Sequence, residues 1–264
     1  MSNSVSLLDH PVIGQRAFHP RSTAVKPTLV VDVGEDQLGC HVRRAHEDAG
    51  WVVYFHGNGE LAAECEQYYG ALFTAVGYNV CFVEYRGYGA SSGQPGLSAM
   101  LGDGEQVLAT LGVPETQVVA FGRSLGSLYA IELARRFPRL GGLILESGIA
   151  DLNELWPLAD KAEEIGCTPA DISEAIASAF DHRAKLGGYT GPLLVLHAAG
   201  DRLVVPSHGE RLHAWGGGSN KRLVIFPRGT HNTILSANVV EYAAEVRGFL
   251  KKLGGVGSNG RTGD

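Results

Sequence analysis

The sequence predicts one α/β domain, built on a mostly parallel sheet with helices on both faces. Short, almost uninterrupted apolar runs such as residues 51–55 and 79–85 are typical of strands buried on both faces of a parallel sheet. Segments with apolar residues at helical spacing, such as 61–76 and 97–111, lie between them. Strands that alternate with helices favour parallel pairing through crossover connections. The 264 residues fit one large domain of this class.

The other elements are assigned in chain order by the same criteria. An antiparallel pair of strands is predicted at 28–34 and 38–44, joined by the turn Glu35-Asp36-Gln37. Further strands are predicted at 117–121, 140–145, 192–197 and 222–226, and further helices from Leu125 onward, over 206–215 and over 233–253.

Three segments stand apart from this alternation. Residues 1–24 are predicted to be an irregular arm, and the glycine-rich residues 254–264 a flexible tail. Within the domain proper (25–253), residues 151–186 insert two or three helical pieces, broken at Pro157 and Pro169. We predict that this insertion forms a small cap over the carboxyl edge of the sheet.

Composition narrows the class of protein. A net charge of −6 and a pI near 5.9 give no electrostatic attraction to nucleic acid or to anionic lipid. The sequence has no stretch of the length and apolarity of a membrane span, and its first 20 residues do not resemble a signal peptide. The four cysteines show no CxxC pairing, which favours buried free thiols. We therefore expect a cytoplasmic enzyme and leave the oligomeric state open.

The motif Gly122-Arg123-Ser124-Leu125-Gly126 lies between a predicted strand and a predicted helix. A serine on such a sharp turn has its hydroxyl held clear of the sheet, and flanking glycines let the backbones pass closely. A second match, Gly89-Ala90-Ser91-Ser92-Gly93, is followed by Gln94-Pro95-Gly96, so no helix begins there. Ser124 is therefore the candidate nucleophile and Ser91 is interpreted as a turn residue.

A serine nucleophile needs a base, and the base needs an orienting acid. Asp201 and His231 each follow a predicted strand, in the chain order Ser, Asp, His that acyl-transfer enzymes on such sheets use. Glu146, which ends an earlier strand, is the alternative acid. Asp201 is favoured because its loop precedes a helix that begins with proline.

Acyl transfer also needs backbone N–H groups directed at the developing oxyanion. The N–H of Leu125 follows the nucleophile at the start of a helix. A second is expected from Asn58, in the turn His56-Gly57-Asn58-Gly59, where two glycines free the backbone.

Other side chains near these motifs receive structural interpretations. Arg123 is expected to pack or to form a salt bridge, His56 to bond the backbone of its turn, and His197 to be a satisfied core residue. Tyr88, Met100, Trp156 and Phe180 are candidates for lining an acyl pocket, with ordinary packing as the alternative.

Six stretches carry a resemblance to a known family: Phe55-His56-Gly57-Asn58-Gly59, Tyr85-Arg86-Gly87-Tyr88-Gly89-Ala90-Ser91, residues 122–126, Leu145-Glu146-Ser147-Gly148, Gly200-Asp201 with Val205-Pro206, and Gly229-Thr230-His231-Asn232. Together they resemble the α/β-hydrolase superfamily over residues 25–253. The resemblance implies Ser124, Asp201 and His231 as a catalytic triad, with Asn58 and Leu125 as oxyanion donors. The sequence departs from the pattern at Ala198-Ala199, where a glycine often precedes the acid loop, and in its cap segment.

The resemblance implies a serine hydrolase that cleaves carboxylic esters or thioesters of small molecules through an acyl-serine intermediate. A peptidase or amidase acting on small peptides is one alternative, and a non-catalytic binding protein on the same fold is another. We expect no metal, because the sequence has no HExxH and no cysteine–histidine ligand spacing. The glycine-rich stretches form neither a phosphate loop nor a dinucleotide fingerprint, so no cofactor is expected.

Overall fold

A computed structural model describes residues 7–254. Its centre is one eight-stranded sheet. The strands are β1 (Leu29–Val33), β2 (Asp36–Arg43), β3 (Trp51–Phe55), β4 (Asn79–Val83), β5 (Val118–Arg123), β6 (Gly142–Glu146), β7 (Leu193–Ala198) and β8 (Lys221–Phe226). Their spatial order is β1-β2-β4-β3-β5-β6-β7-β8. β2 pairs antiparallel with both β1 and β4, and every other pair is parallel.

Helices connect the strands and cover the sheet. They are α1 (Pro11–Ala17), α2 (Ala62–Thr74), α3 (Asp103–Leu111), α4 (Gly126–Arg136), α5 (Leu152–Leu155), α6 (Pro169–Ala179), α7 (His182–Gly187), α8 (Pro206–Trp215), α9 (Ile234–Ala237) and α10 (Val239–Gly254). Among residues 7–254, no helix has the length and apolarity that crossing a bilayer requires.

Side-chain alternation along the central strands explains why helices lie on both faces. Trp51, Val53 and Phe55 of β3 enter one hydrophobic core, whereas Val52 and Tyr54 enter the other. All five residues are buried, so each face of the strand needs a covering layer. The predicted α/β class with a mostly parallel sheet is therefore confirmed.

The turn between β1 and β2 lies earlier than predicted. Val33 pairs with Asp36, so the turn consists of Gly34 and Glu35, and Asp36 and Gln37 already belong to the ladder. Gly34 has φ +75°, which a glycine adopts without a steric penalty. The predicted turn Glu35-Asp36-Gln37 is thus wrong by up to two residues.

The prediction of an irregular arm over residues 1–24 is wrong for part of that segment. A 3₁₀ turn at Leu7–Asp9 and the helix α1 lie within it. Pro11 occupies the first turn of α1, and the His10 side chain accepts a hydrogen bond from the Val12 N–H. Ile13 and Ala17, one turn apart, are both fully buried, so the core stabilises this short helix.

Two other segments complete the comparison with the sequence. The predicted helix 233–253 is divided into α9 and α10 at Asn238, whose side-chain amide donates to the carbonyls of Arg228 and Ile234. The predicted cap (151–186) contains α5, α6, most of α7 and a 3₁₀ turn at Leu158–Lys161. Only Gly254 of the predicted tail falls within the described residues.

Candidate active site

The turn from β5 into α4 holds Ser124 in the left-handed backbone region, with φ 51°. This conformation is uncommon for a residue with a side chain. The turn is closed so tightly that a Cβ on Gly122 would lie 2.6 Å from the Gly126 carbonyl oxygen. A Cβ on Gly126 would lie 2.1 Å from the carbonyl oxygen of Phe55. Only glycine fits at either position, which explains the spacing of the motif.

Three side chains from separate strand ends meet at this turn. The Oγ of Ser124 lies 2.9 Å from Nε2 of His231, and Nδ1 of His231 lies 2.8 Å from Oδ2 of Asp201. With Nδ1–H donating to the carboxylate, Nε2 is left to accept the serine proton. All three residues are buried. The structure therefore brings together the serine, histidine and aspartate that the sequence suggested.

Asp201 is fixed from several sides. Its Oδ1 accepts hydrogen bonds from the backbone N–H groups of Leu203 (3.0 Å) and Val204 (2.9 Å). Nε2 of His197 lies 3.4 Å from Oδ2 and 2.7 Å from the Val204 carbonyl oxygen. Burial alone would raise the pKa of Asp201, but hydrogen bonds from His197 and His231 hold this pKa well below its usual range. The carboxylate is thus kept ionised.

His197 is therefore more than the satisfied core residue that the sequence suggested. It is fully buried, as expected, and it contacts the aspartate. Its Nδ1 has no hydrogen-bond partner within the described part of the chain. The only sequence signal for this contact was the position of His197, near the end of β7 and four residues before Asp201.

Glu146, the alternative acid, is engaged elsewhere. Its Oε1 accepts a hydrogen bond from Nε of Arg123 at 3.0 Å, and its Oε2 accepts one from the Tyr242 hydroxyl. Within residues 7–254 it makes no hydrogen bond to His231. Burial raises the pKa of this carboxyl despite the neighbouring Arg123. Asp201 is the acid in contact with the imidazole.

The turn after β3 has a fixed peptide orientation. The Gly57 carbonyl accepts hydrogen bonds from Nδ1 of His56 (2.8 Å) and from the Glu60 N–H (3.2 Å). The Gly57 carbonyl and the Asn58 N–H belong to one trans peptide group and point in opposite directions, so the Asn58 N–H is directed away from these partners. Within residues 7–254, neither the Asn58 N–H nor the Leu125 N–H donates to a protein acceptor. Both amides remain available to an oxyanion.

His56 is itself held by a buried carboxylate. Its Nε2 lies 2.7 Å from Oε1 of Glu84, and both side chains are buried. Burial alone would lower the pKa of His56, but the hydrogen bond and charge of Glu84 raise it overall. The two ring nitrogens are thus held between the Glu84 carboxyl and the Gly57 carbonyl. This fits the structural role predicted for His56.

The side chain of Asn58 is bound by the N-terminal segment. Its Nδ2 donates to the Ala17 carbonyl (2.8 Å), and its Oδ1 accepts from the His19 N–H (2.9 Å) and the Tyr88 hydroxyl (2.8 Å). The segment around α1 therefore fixes the turn that carries the candidate oxyanion donor. No sequence pattern indicated this contact, because α1 itself was not predicted.

The remaining candidates are a turn serine and side chains that pack in or against the core. The Oγ of Ser91 accepts a hydrogen bond from the Gly39 N–H, as a turn residue does. Tyr88, Met100 and Phe180 are buried in one hydrophobic cluster, against which Trp156 is partly buried. Among the described residues, no group of three or more His, Cys, Asp or Glu side chains is arranged to hold a metal ion.

Comparisons with known proteins agree with this architecture. The family described as "Serine aminopeptidase, S33" matches residues 46–166. Protein bem46 of Schizosaccharomyces pombe is 28% identical over 186 residues, which are 69% of this chain and 61% of the relative. Alpha/beta hydrolase domain-containing protein 17C of Xenopus tropicalis is 28% identical over 182 residues, covering 67% of this chain and 54% of the relative.

Among solved structures, the Pyrococcus furiosus esterase Pf2001 superimposes with a TM-score of 0.70 at 16% identity. The match covers 88% of this chain and 98% of the esterase. At that identity the likeness concerns the fold. The chain has the α/β-hydrolase fold, and in sequence it is similar to α/β-hydrolase proteins. It spans about three-fifths or less of the length of the two curated relatives.

Proposed function

We propose that the protein is a serine hydrolase that cleaves carboxylic ester or thioester bonds through an acyl-serine intermediate. The observation that carries the proposal is the continuous relay from the Ser124 hydroxyl through His231 to Asp201. The two unengaged amides of Asn58 and Leu125 supply the second requirement of acyl transfer.

The relay and the amides define a sequence of steps. Nε2 of His231 takes the Ser124 proton as Oγ attacks the acyl carbonyl carbon, and Asp201 stabilises the imidazolium. The amides of Asn58 and Leu125 donate to the oxyanion of the tetrahedral intermediate. Its collapse expels the alcohol or thiol, which takes the proton from His231. Water, deprotonated by His231, then attacks the acyl-serine and releases the acid.

A second candidate is hydrolysis of small peptides or amides. The matching family is named for a serine aminopeptidase, and the same triad and oxyanion donors serve amide cleavage. Solved structures of the same fold include one described as a monoacylglycerol lipase and two described as esterases, so ester cleavage remains the first candidate. A non-catalytic binding role leaves the intact relay unexplained.

We propose the cytoplasm as the location of the protein, because its four cysteines are free and free thiols are typical of a reducing compartment.

Ser124→Ala, assayed on a short p-nitrophenyl ester, tests the proposal. The variant should retain its fold and lose turnover by a factor of about 10³ or more, because the nucleophile is removed. Ser91→Ala is the matched control, since Ser91 lies in the second motif of the same pattern. It should keep wild-type turnover. Full activity in a folded Ser124→Ala variant would reject the proposal.

A further inference from the structure

Arg123, the residue directly before the candidate nucleophile, is one of the most buried charged side chains of the described chain, with 6% of its side chain exposed. Burying a guanidinium is costly unless every donor is paired. The contacts of Arg123 therefore indicate why the chain places a charge there.

Two carboxylates neutralise the guanidinium. Nη1 of Arg123 lies 2.5 Å from Oε1 of Glu60, and Nε lies 3.0 Å from Oε1 of Glu146. The charges of these glutamates raise the pKa of Arg123 well above its usual value despite its burial. The second oxygen of Glu60 accepts from the Gly57 N–H at 2.7 Å. Arg123 is thus linked through Glu60 to the turn that carries Asn58.

The third nitrogen of the guanidinium, Nη2, reaches the loop that carries the candidate base. Nη2 of Arg123 donates to the backbone carbonyl of His231 at 3.1 Å and lies 3.3 Å from Oδ1 of Asn232. This loop follows β8, which is an edge strand of the sheet and is mostly half-exposed or exposed. Within the loop, Thr230 and Thr233 hydrogen-bond each other. Arg123 adds a restraint from β5, at the centre of the sheet.

We propose that Arg123 is a positioning residue. It holds the loop that carries His231 and the turn that carries Asn58 in place relative to Ser124. The proposal rests on the proposed hydrolase function and extends it. Asp201 fixes the imidazole ring, whereas Arg123 fixes the backbone of the same residue. Because Arg123 is adjacent to Ser124 in the chain, a shift of either loop relative to the serine must break one of its contacts. The guanidinium acts through these residues and not on the substrate.

The fork of five N–H donors explains the choice of arginine. A lysine has one compact ammonium and cannot span Glu60, Glu146 and the His231 carbonyl in this arrangement. Gly57 belongs to the same fit, because a Cβ at that position would lie 2.4 Å from Nη1 of Arg123. Glycine at position 57 leaves space for the guanidinium beside the turn that carries Asn58.

Arg123→Met in the full chain, assayed on a short p-nitrophenyl ester, is the first test. Displacement of His231 and Asn58 relative to Ser124 should lower kcat by about 10- to 100-fold. KM should change far less, because the contacts that bind the substrate are kept. Arg123→Lys should restore only part of the loss. Arg136→Met is the matched control, since Arg136 also pairs with two glutamates but lies at the far end of α4. It should keep wild-type kcat, and an equal loss in both variants would overturn the proposal.

A second readout needs no turnover. The His231 Nδ1 proton, hydrogen-bonded to Asp201, should give a far-downfield resonance in the proton NMR spectrum, assigned by its loss in His231→Gln. Arg123→Met should broaden or remove this resonance while circular dichroism stays native, whereas Arg136→Met should leave it unchanged. An unchanged resonance together with unchanged kcat in Arg123→Met would overturn the proposal. This readout stays valid even if Ser124→Ala retains activity and the proposed function fails.

Single-contact variants keep the proposal testable should Arg123→Met fail to fold. Asn232→Ala removes the side-chain contact alone, and Glu60→Gln removes a charge while keeping an acceptor for the Gly57 N–H. Each should lower kcat several-fold, and together they should approach the loss expected for Arg123→Met, because they act on one network. Wild-type kcat in both single variants would contradict the proposed role.

Discussion

Ser124 occupies a strained backbone conformation that the fold uses to present its hydroxyl. A left-handed conformation costs a residue with a Cβ roughly 1–2 kcal/mol. Its N–H still donates to the Glu146 carbonyl at 2.9 Å, so the turn leaves the sheet only after that bond. Ser147, at the end of the neighbouring strand, has φ 47° and donates to Leu196 in the same way. Strain is thus concentrated at the carboxyl edge of the sheet, where ligands bind in such folds.

Asp201→Asn tests which acid orients His231. An amide in place of the carboxylate favours the wrong imidazole tautomer, so kcat should fall by about 10³- to 10⁴-fold with the fold retained. Glu146→Gln is the matched comparison, because Glu146 was the alternative acid and is buried at a neighbouring strand end. It should lose far less activity, since among residues 7–254 it makes no hydrogen bond to the imidazole. A larger loss in Glu146→Gln than in Asp201→Asn would contradict the assignment.

At the residue scale, sequence reasoning reached the groups of the relay and expected a salt bridge for Arg123, but it did not identify the partners of that arginine. Ser124, Asp201 and His231 were accessible because chain order and strand-end placement restrict the candidates. The tie between Arg123 and His231 joins residues 108 positions apart, and nothing local marks it. Glu60 and Asn232 were missed for the same reason, since only folded geometry shows which donors face which acceptors.

At the element scale, α4 approaches β3 so closely that its first residue must be glycine. In Gly126→Ala the new methyl group would meet the Phe55 and His56 carbonyl oxygens. Overpacking should destabilise the protein by about 1–3 kcal/mol, and displacement of the Asn58 turn should lower kcat. Urea denaturation and ester hydrolysis check the two effects.

Gly248→Ala is the control for this substitution. Gly248 lies inside α10, and a methyl group there would have no other atom of residues 7–254 within 4 Å beyond its own helix backbone and chain neighbours. Alanine should stabilise that helix by about 0.5–1 kcal/mol and leave kcat unchanged. Equal stability changes of the same sign in both variants would contradict the account of the close approach.

Elements with a strong periodic pattern were predicted well, and those fixed by tertiary contacts were not. β3 and α8 have the bounds expected from the sequence. α1 has only seven residues, too few to show a helical period, and it depends on its buried Ile13 and Ala17. The division of the last helix depends on Asn238, whose hydrogen bonds to Arg228 and Ile234 compete with helix continuation.

At the scale of the whole molecule, a buried charge cluster links α4 to the insertion. Glu132 of α4 pairs with Lys185 of α7 at 2.8 Å, and both side chains are buried. Glu132 also pairs with Arg135 and Arg136 of its own helix. Burial alone would raise the pKa of Glu132, but these cations lower it to about 2.

We therefore expect Glu132→Gln to lower the free energy of unfolding, and to do so more at neutral pH than in acid. A carboxyl with a lowered folded-state pKa contributes stability above its unfolded pKa, near 4.5, and loses that contribution as pH falls toward 2. The variant should be less stable than wild type by roughly 3 kcal/mol at neutral pH. Urea denaturation at neutral pH and near pH 3 should show the difference shrinking in acid. An equal difference at both pH values would contradict the role of the charge.

The fold class of the molecule was predictable because alternating strands and helices allow few topologies. The helices of the predicted cap were less accessible, because α5, α6 and α7 contribute residues to the hydrophobic core that Phe180 and Leu186 help to form. Their placement depends on tertiary packing that no local pattern encodes.

The most direct test of the relay is covalent labelling with a fluorophosphonate, followed by intact-mass measurement and peptide mapping. An activated serine displaces fluoride from the probe, so wild type should gain one adduct, located on Ser124. His231→Gln should label far more slowly, and Ser124→Ala should not label at all. An unlabelled wild-type protein, or an adduct on another serine, would contradict the account.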